Sequence, residues 1–512
     1  MSGTRKAWWR IAAGAAAAVL VSVGGGSGSP QPAAAATGCA GGADYDFNGD
    51  ALRDTVIADP MATVNGQEKA GLVNVVLGGG KGTVQVSQEL AGVPDAAEAG
   101  DQFGFSFAVY DANSDGCSDL AIGTPYEDVA DVADAGLVQL VHGSAAGLGT
   151  NGTIGFRQGV DGLMGEGSEP EDWVGYSIAT TVSKTGVPYL IIGVPGEDVR
   201  GLTNSGLVTC MYGPDFALAS VGQDSPGVWD TTEAYDQFGA SVVATGQLFV
   251  VGAPGESIDT DLAAGAVHGF RPSINTDGIP TPVFAMGQDR PAGAESAAEH
   301  GDRFGTSAAL VPYRPSGSAV AGDWLLAVGA PSEDLVGAVD AGAVRTYHIT
   351  AAGSVTILNW IDQNTADVEG AAEPGDFFGQ RLAAVNTSPT TVSTASSMRL
   401  AIGVPGEESS EEQRDKGGVH VLPMVGAPGI GDTWMEPGTG IPETSGNQLL
   451  TGISLGATRA SLFVGLPYGA APGHAVYGFP WTAAQGSAPT QTWRPGEGGI
   501  PAGDGAFGTV VG

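Results

Sequence analysis

One short segment recurs seven times along this chain: an apolar run that closes in Gly-x-Pro or a near variant. It reads TVIADP, LAIGTP, LIIGVP, FVVGAP, LAVGAP, LAIGVP and LFVGLP. The closing prolines run from Pro60 to Pro467, 407 residues over six intervals, so the period is about 68 residues. Self-similarity at a fixed period means a repeat architecture, in which each unit buries its faces only against its neighbours. A second segment follows each copy: AGLVNVVLG, AGLVQLVHG, SGLVTCMYG, AGAVHGF, AGAVRTYH, GGVHVLP and GHAVYGF. A third opens most units and often carries Phe-Gly: DQFGFSFA, DWVGYSIA, DQFGASVV, DRFGTSAA, DFFGQRLA and LLTGISLG. A strand-like stretch with Gln or Trp, such as TILNWIDQ, lies between the second and third. Four strands per unit in seven units predict an all-β, seven-bladed β-propeller.

The residue types fit that reading. Four consecutive apolar residues need cover on both faces, which blades stacked face to face provide. Each fully buried Leu, Ile or Val contributes about 1.5–3 kcal/mol. Proline ends the ladder at a strand exit, where the lost N–H costs little. The Phe of Phe-Gly is expected to wedge between blades. The first unit, from Asp44, lacks its Phe-Gly segment, whereas the chain ends GDGAFGTVVG with an unmatched Phe507-Gly508. A C-terminal strand that completes the first blade would close the ring and remove the open edge.

This pattern resembles the FG-GAP repeats of the integrin alpha-chain propeller, found also in secreted bacterial proteins. The resemblance covers residues 44–512, with departures at the ADP of unit one, at Val174-Gly175 and at Thr451-Gly452. It implies a propeller fold and a role in adhesion or recognition. FG-GAP repeats also accompany some phospholipases, so a secreted hydrolase on a propeller is the alternative.

Two turns carry most of the chemistry. DFNGDALRD (46–54) and DANSDGCSD (111–119) each lead straight into an apolar strand. Oxygen-bearing side chains sit at the first, third, fifth and ninth positions: Asp46, Asn48, Asp50 and Asp54, then Asp111, Asn113, Asp115 and Asp119. With the backbone carbonyls of Leu52 and Cys117 at the seventh position, each turn offers the hard oxygens that Ca²⁺ takes. An EF-hand needs a Glu at position twelve and flanking helices; Ile57 and Ile122 occupy that position inside apolar strands. Two structural Ca²⁺ sites are therefore predicted. The bland reading is a pair of Asx-rich turns, but the same spacing in the same slot of two units argues against it. The resemblance agrees, since FG-GAP repeats carry calcium loops between their first and second strands. Integrin alpha chains place such loops in later blades, whereas units three to seven here lack the ligand set.

The remaining signals are weaker. Residues 1–36 read as a secretory signal: basic Arg5, Lys6 and Arg10, an apolar stretch from Ile11 to Val23, and the small tract Ala33–Ala36. Residues 37–43 form a short segment before the propeller, and export would make the protein extracellular. The apolar stretch is shorter than the roughly 20 residues a spanning helix needs, so no membrane span is expected. Signal removal takes away three basic residues and leaves 17 against 56 acidic ones, a formal net charge of −39. Such a surface repels nucleic acid and suits cations. The partner would be a macromolecular or cell-surface ligand.

Of three cysteines, Cys210 reads as a buried apolar filler, while Cys39 and Cys117 lie close to the acidic turns. In an exported protein they are candidates for a disulfide. Acidic residues follow the apolar runs at Glu127-Asp128, Glu197-Asp198, Glu256, Glu333-Asp334 and Glu407-Glu408. They read either as solvated turn residues or as an acidic face around the channel that captures a cationic or metal-bridged partner. GISLG (452–456) matches a nucleophile-elbow pattern, yet Ser454 fills the repeat slot of Ser106, Ser177, Ser241 and Ser307, which marks packing rather than catalysis. The histidines His142, His268, His420 and His474 are scattered over different units. Asn151 and Asn386 lie in glycosylation sequons.

Overall fold

The computed structural model describes residues 39, 44–159, 167–289, 297–408, 415–444, 448–469, 473–503 and 505–512. The signal assigned to residues 1–36, and all of 37–43 except Cys39, lie outside the described residues. Among the described residues no helix is long and apolar enough to cross a membrane.

The described strands form seven sheets, one per repeat. The second blade shows the plan: Ser106–Tyr110, Asp119–Thr124, Leu137–Val141 and Thr153–Phe156, each antiparallel to the next. The first strands of successive blades touch one another and so line the axis. The apolar runs that end in proline are the second strands; Asp119–Thr124 and Pro188–Val194 are buried throughout. Blade six adds a fifth, parallel strand, Gly440–Ile441, beside Thr433–Pro437.

The first strand of blade one comes from the far end of the chain. Val510–Val511 pairs with Thr55–Asp59, Val511 opposite Ile57 and Val510 opposite Ala58. Phe507 is buried, and the Gly508 N–H donates to the Ala58 carbonyl at 2.9 Å. The terminal strand therefore closes the propeller.

Seven apolar cores hold it together, each shared by two consecutive blades. Phe103, Phe238, Phe304 and Phe378 are fully buried in these seams as wedges. The glycine of Gly-x-Pro has a specific steric role. A Cβ on Gly123 would sit 2.1 Å from the Gly175 carbonyl oxygen of the next blade and 2.3 Å from Ser106 Oγ. That close approach lets Ser106 Oγ donate to the Gly175 carbonyl at 2.6 Å, and Ser177, Ser241, Ser307 and Ser454 repeat the bond to Gly239, Gly305, Gly379 and Gly508. The ADP variant now has its reason. Ala58 stands opposite Val510 instead of a serine, so there is no hydroxyl for its methyl to strike. Ser454 is thus a blade-to-blade clasp.

Candidate metal centre

The two acidic turns fold on one hydrogen-bond plan. In the first, Asp46 Oδ1 accepts the Asp50 N–H at 3.0 Å and Oδ2 the Ala51 N–H at 2.8 Å. In the second, Asp111 Oδ1 accepts the Asp115 N–H at 3.1 Å and Oδ2 the Gly116 N–H at 3.0 Å. Asn48 and Asn113 accept from the same two N–H groups, at 3.1 and 2.9 Å. The N–H groups of Leu52 and Cys117 donate to Asp50 and Asp115 at 2.8 and 2.9 Å. Both turns need left-handed backbone at their fourth and sixth residues. Each supplies one glycine and one strained residue: Gly49 with Ala51 (φ 63°), and Ser114 (φ 59°) with Gly116.

The ninth-position carboxylates anchor the turns. Asp54 accepts the N–H groups of Phe47 and Gly78 at 3.1 and 2.8 Å, and Asp119 those of Ala112 and Gly143 at 2.8 and 2.9 Å. Each oxygen keeps a second lone pair for a cation. Burial pushes Asp54 and Asp111 above the usual carboxylate range, while the Lys81 ammonium, 2.7 Å from Asp50, pulls Asp50 below it. His142 Nδ1 lies 3.3 Å from Asp119 Oδ1, and that carboxylate raises the imidazole pKa.

Sequence reasoning did not foresee that the two turns touch. The Asp46 carbonyl accepts the Ser118 N–H at 2.9 Å and the Phe47 carbonyl accepts the Ser144 N–H at 3.0 Å. The Cys39–Cys117 disulfide ties the segment before the first turn to the second turn, and Cys39 packs on Gly49. Cys210 is free and buried. Each turn carries three carboxylates and an amide oxygen, with Asp46, Asp54 and Asp119 buried, but the three carboxylates of a turn do not all lie within 4.8 Å of one another. The side-chain donors are all hard oxygen, the type that Ca²⁺ takes.

In the acidic pairs after the apolar runs, only the second acid is a solvated turn residue. Glu127, Glu197, Glu256 and Glu333 are buried, each held by a glutamine from the end of the preceding blade. Gln88 Nε2 donates to Glu127 Oε2 and Gln363 Nε2 to Glu407 Oε2, both at 2.5 Å. Gln158, Gln223 and Gln288 hold Glu197, Glu256 and Glu333 in the same way. The first aspartate of each Asp-x-Phe-Gly or related segment joins them. Asp101, Asp172, Asp236, Asp302 and Asp376 each accept the N–H three residues back at 2.6 Å. Burial, with the neighbouring negative charges, pushes Glu127 and Glu256 up to about 9 and Asp172, Asp236 and Asp376 to about 7. The second acids cap turns instead: Asp128 and Asp334 accept the N–H groups of Asp134 and Asp340. The predicted acidic face is therefore largely drawn into the blade junctions. The signal for it was available, because every such Glu has a Gln 33–45 residues before it.

One further reading changes. Asn386 is buried and its Nδ2 donates to the Pro312 carbonyl at 3.0 Å, so its sequon is closed in the folded protein; Asn151 is exposed. The histidines stay apart, and among the described residues the one grouping with metal-site spacing is Cys39, Asp115 and Cys117. Its thiols are spent in the disulfide.

The FG-GAP repeat profile matches residues 103–141, from the Phe-Gly pair of blade two through its acidic turn to the end of its third strand. No curated protein matches the sequence. Among solved structures, the chain is similar to the Pseudomonas aeruginosa periplasmic gluconolactonase PpgL at 10% identity and a TM-score of 0.42, over 89% of this chain and 98% of that one. That likeness carries no argument about activity. One blade bears the family signature and the others repeat its build around a closed axis: the protein is a seven-bladed propeller of FG-GAP repeats.

Proposed function

We propose that this is an exported, calcium-stabilised propeller that binds a macromolecular or cell-surface partner and performs no catalysis of its own. The observation that carries the calcium reading is the near-identical donor scaffold of the two turns, joined to each other by backbone hydrogen bonds and by Cys39–Cys117. Calcium there neutralises six carboxylates on one rim and stiffens the junction of the first two blades. The non-catalytic reading rests on the repeat serines, whose hydroxyls donate to glycine carbonyls instead of standing beside a base. Export is supported by the basic and apolar leader and by the disulfide, which needs an oxidising compartment. Recognition is the role implied by the integrin resemblance, since fold alone does not assign function.

Thermal melts in EDTA and in 2 mM calcium test this. For two sites with dissociation constants near 10⁻⁴ M, mass action gives about 3–4 kcal/mol, a rise of roughly 3–4 °C for a chain of this size. Asp50→Asn with Asp115→Asn should shrink the rise, while Lys81→Ala, which removes the ammonium from Asp50, should preserve it. Identical melts of the wild type in the two buffers would remove calcium from the reading.

A further inference from the structure

The blade junctions hold a second kind of oxygen cluster, unlike the acidic turns in sequence and in place. Five consecutive junctions each bring together a glutamine from the preceding blade, a glutamate after the second strand and the aspartate that opens the Phe-Gly segment. The three come and go as a unit. At the junction of blades six and seven the equivalent positions are Pro437, Gly469 and Leu449; at the closing junction they are Pro495, Ala62 and Gly505. The replacements are physically coherent. A Cβ on Gly469 would lie 2.5 Å from Leu449 Cδ2, so the leucine fills the space of the missing glutamate. Residues that vanish together act together.

Each complete junction is rich in acceptors, and of Glu127, Glu256 and Glu407 only the half-buried Glu407 has a basic side chain, His420, acting on it. Gln88, Gln158, Gln223, Gln288 and Gln363 give Nε2 to the glutamate, which fixes the amide, and each keeps a buried Oε1 with no hydrogen-bond donor. Turning the amide over would set oxygen against carboxylate. Asp172, Asp236 and Asp376, at most 1% exposed, also each keep a buried Oδ1 without a donor. The charges that act on Glu256 come from Asp236, Asp230 and Glu233, all acidic, and those on Glu127 from Asp101, Asp95 and Glu98. Two buried carboxylates beside a neutral amide oxygen need positive charge. A proton would serve one acceptor; a cation serves several oxygens at once. All the donors are hard oxygen, and two carboxylates balance a divalent charge.

We infer that the five Gln–Glu–Asp junctions are buried sites for a hard divalent cation of the calcium type, separate from the two acidic turns. The inference does not depend on the turns binding calcium.

Equilibrium dialysis of the full chain with radioactive calcium tests it. The wild type should bind more than two ions per chain, and the Asp50→Asn, Asp115→Asn variant should keep up to five. Glu256→Gln, an isostere that leaves the junction its shape, should lower the count by one; Asp236→Asn should do the same should the first variant fold poorly. Saturation at two ions with none left in the turn variant would overturn the inference and leave the turns standing. An unchanged count in a folded Glu256→Gln protein, or infrared bands of protonated carboxyl groups that persist in saturating calcium, would overturn it as well.

Discussion

The junction between blades three and four and the one that closes blade seven onto blade one are built on the same strands but packed differently. The first has twelve buried apolar residues, including Phe238, Phe249 and Phe270, and a complete Gln223–Glu256–Asp236 cluster. Among the described residues the second has six, including Phe507 and Val511, and no such cluster. Its carboxylate comes from the other partner: Asp59 Oδ1 accepts the Ala506 N–H at 2.6 Å, in the space that a side chain at position 505 would otherwise fill. A cavity of about 150 Å³ lined by Asp59, Asn74, Gln85, Pro495 and Phe507 remains beside it. A seam made by the two ends of the chain joins residues that no short connection holds in register, and it is the looser one.

The largest test of that contrast is a pair of wedge deletions. Phe304→Ala, in a fully packed seam, should cost about 3–5 kcal/mol in urea unfolding. Phe507→Ala should fall at or below the low end, because its surroundings already contain space and can collapse. A larger loss at Phe507 would reverse the ranking of the seams.

A smaller effect separates His268 from Asn74, which occupy the same ladder position in blades four and one, opposite Val251 and Ile57. His268 Nε2 lies 3.0 Å from the Trp229 carbonyl oxygen, and since a carbonyl only accepts, Nε2 carries the proton and donates it. Burial pushes this imidazole down to about 4. The unfolded chain then binds the extra proton first. His268 therefore contributes stability that is complete above about pH 6.5 and is lost as pH falls towards 4, about 3 kcal/mol in all. His268→Asn should remove that part of the acid sensitivity, read as the difference between the two stability–pH curves. Parallel curves would show that the ring is solvated or charged in the folded state.

The smallest effect belongs to the clasps. Ser241→Ala should cost about 1 kcal/mol by removing its bond to Gly305, and more where the carbonyl is left without a donor. Ser454→Ala, at the seam between blades seven and one, should match it if the clasp is independent of the apolar packing around it.

Much of this was legible in the residues. The seven proline-ended runs announced the blades, and the unmatched Phe507-Gly508 announced the closing strand. The spacing of Asp46 to Asp54 and of Asp111 to Asp119 announced two turns built on one hydrogen-bond plan. The acidic pairs were misread because Glu127 and Asp128 are adjacent in sequence yet end in opposite surroundings, one sealed by Gln88 and the other capping an exposed turn.

The sequence alone determined how many blades form, which strands are buried on both faces and where the chain must meet itself, since periodicity records which faces need cover. Only the tertiary structure decided which side chains answer one another across the seams: Gln with Glu, Ser with Gly, one acidic turn against the other. Those pairings depend on how adjacent blades stack, and a local pattern encodes the demand for a partner without naming it.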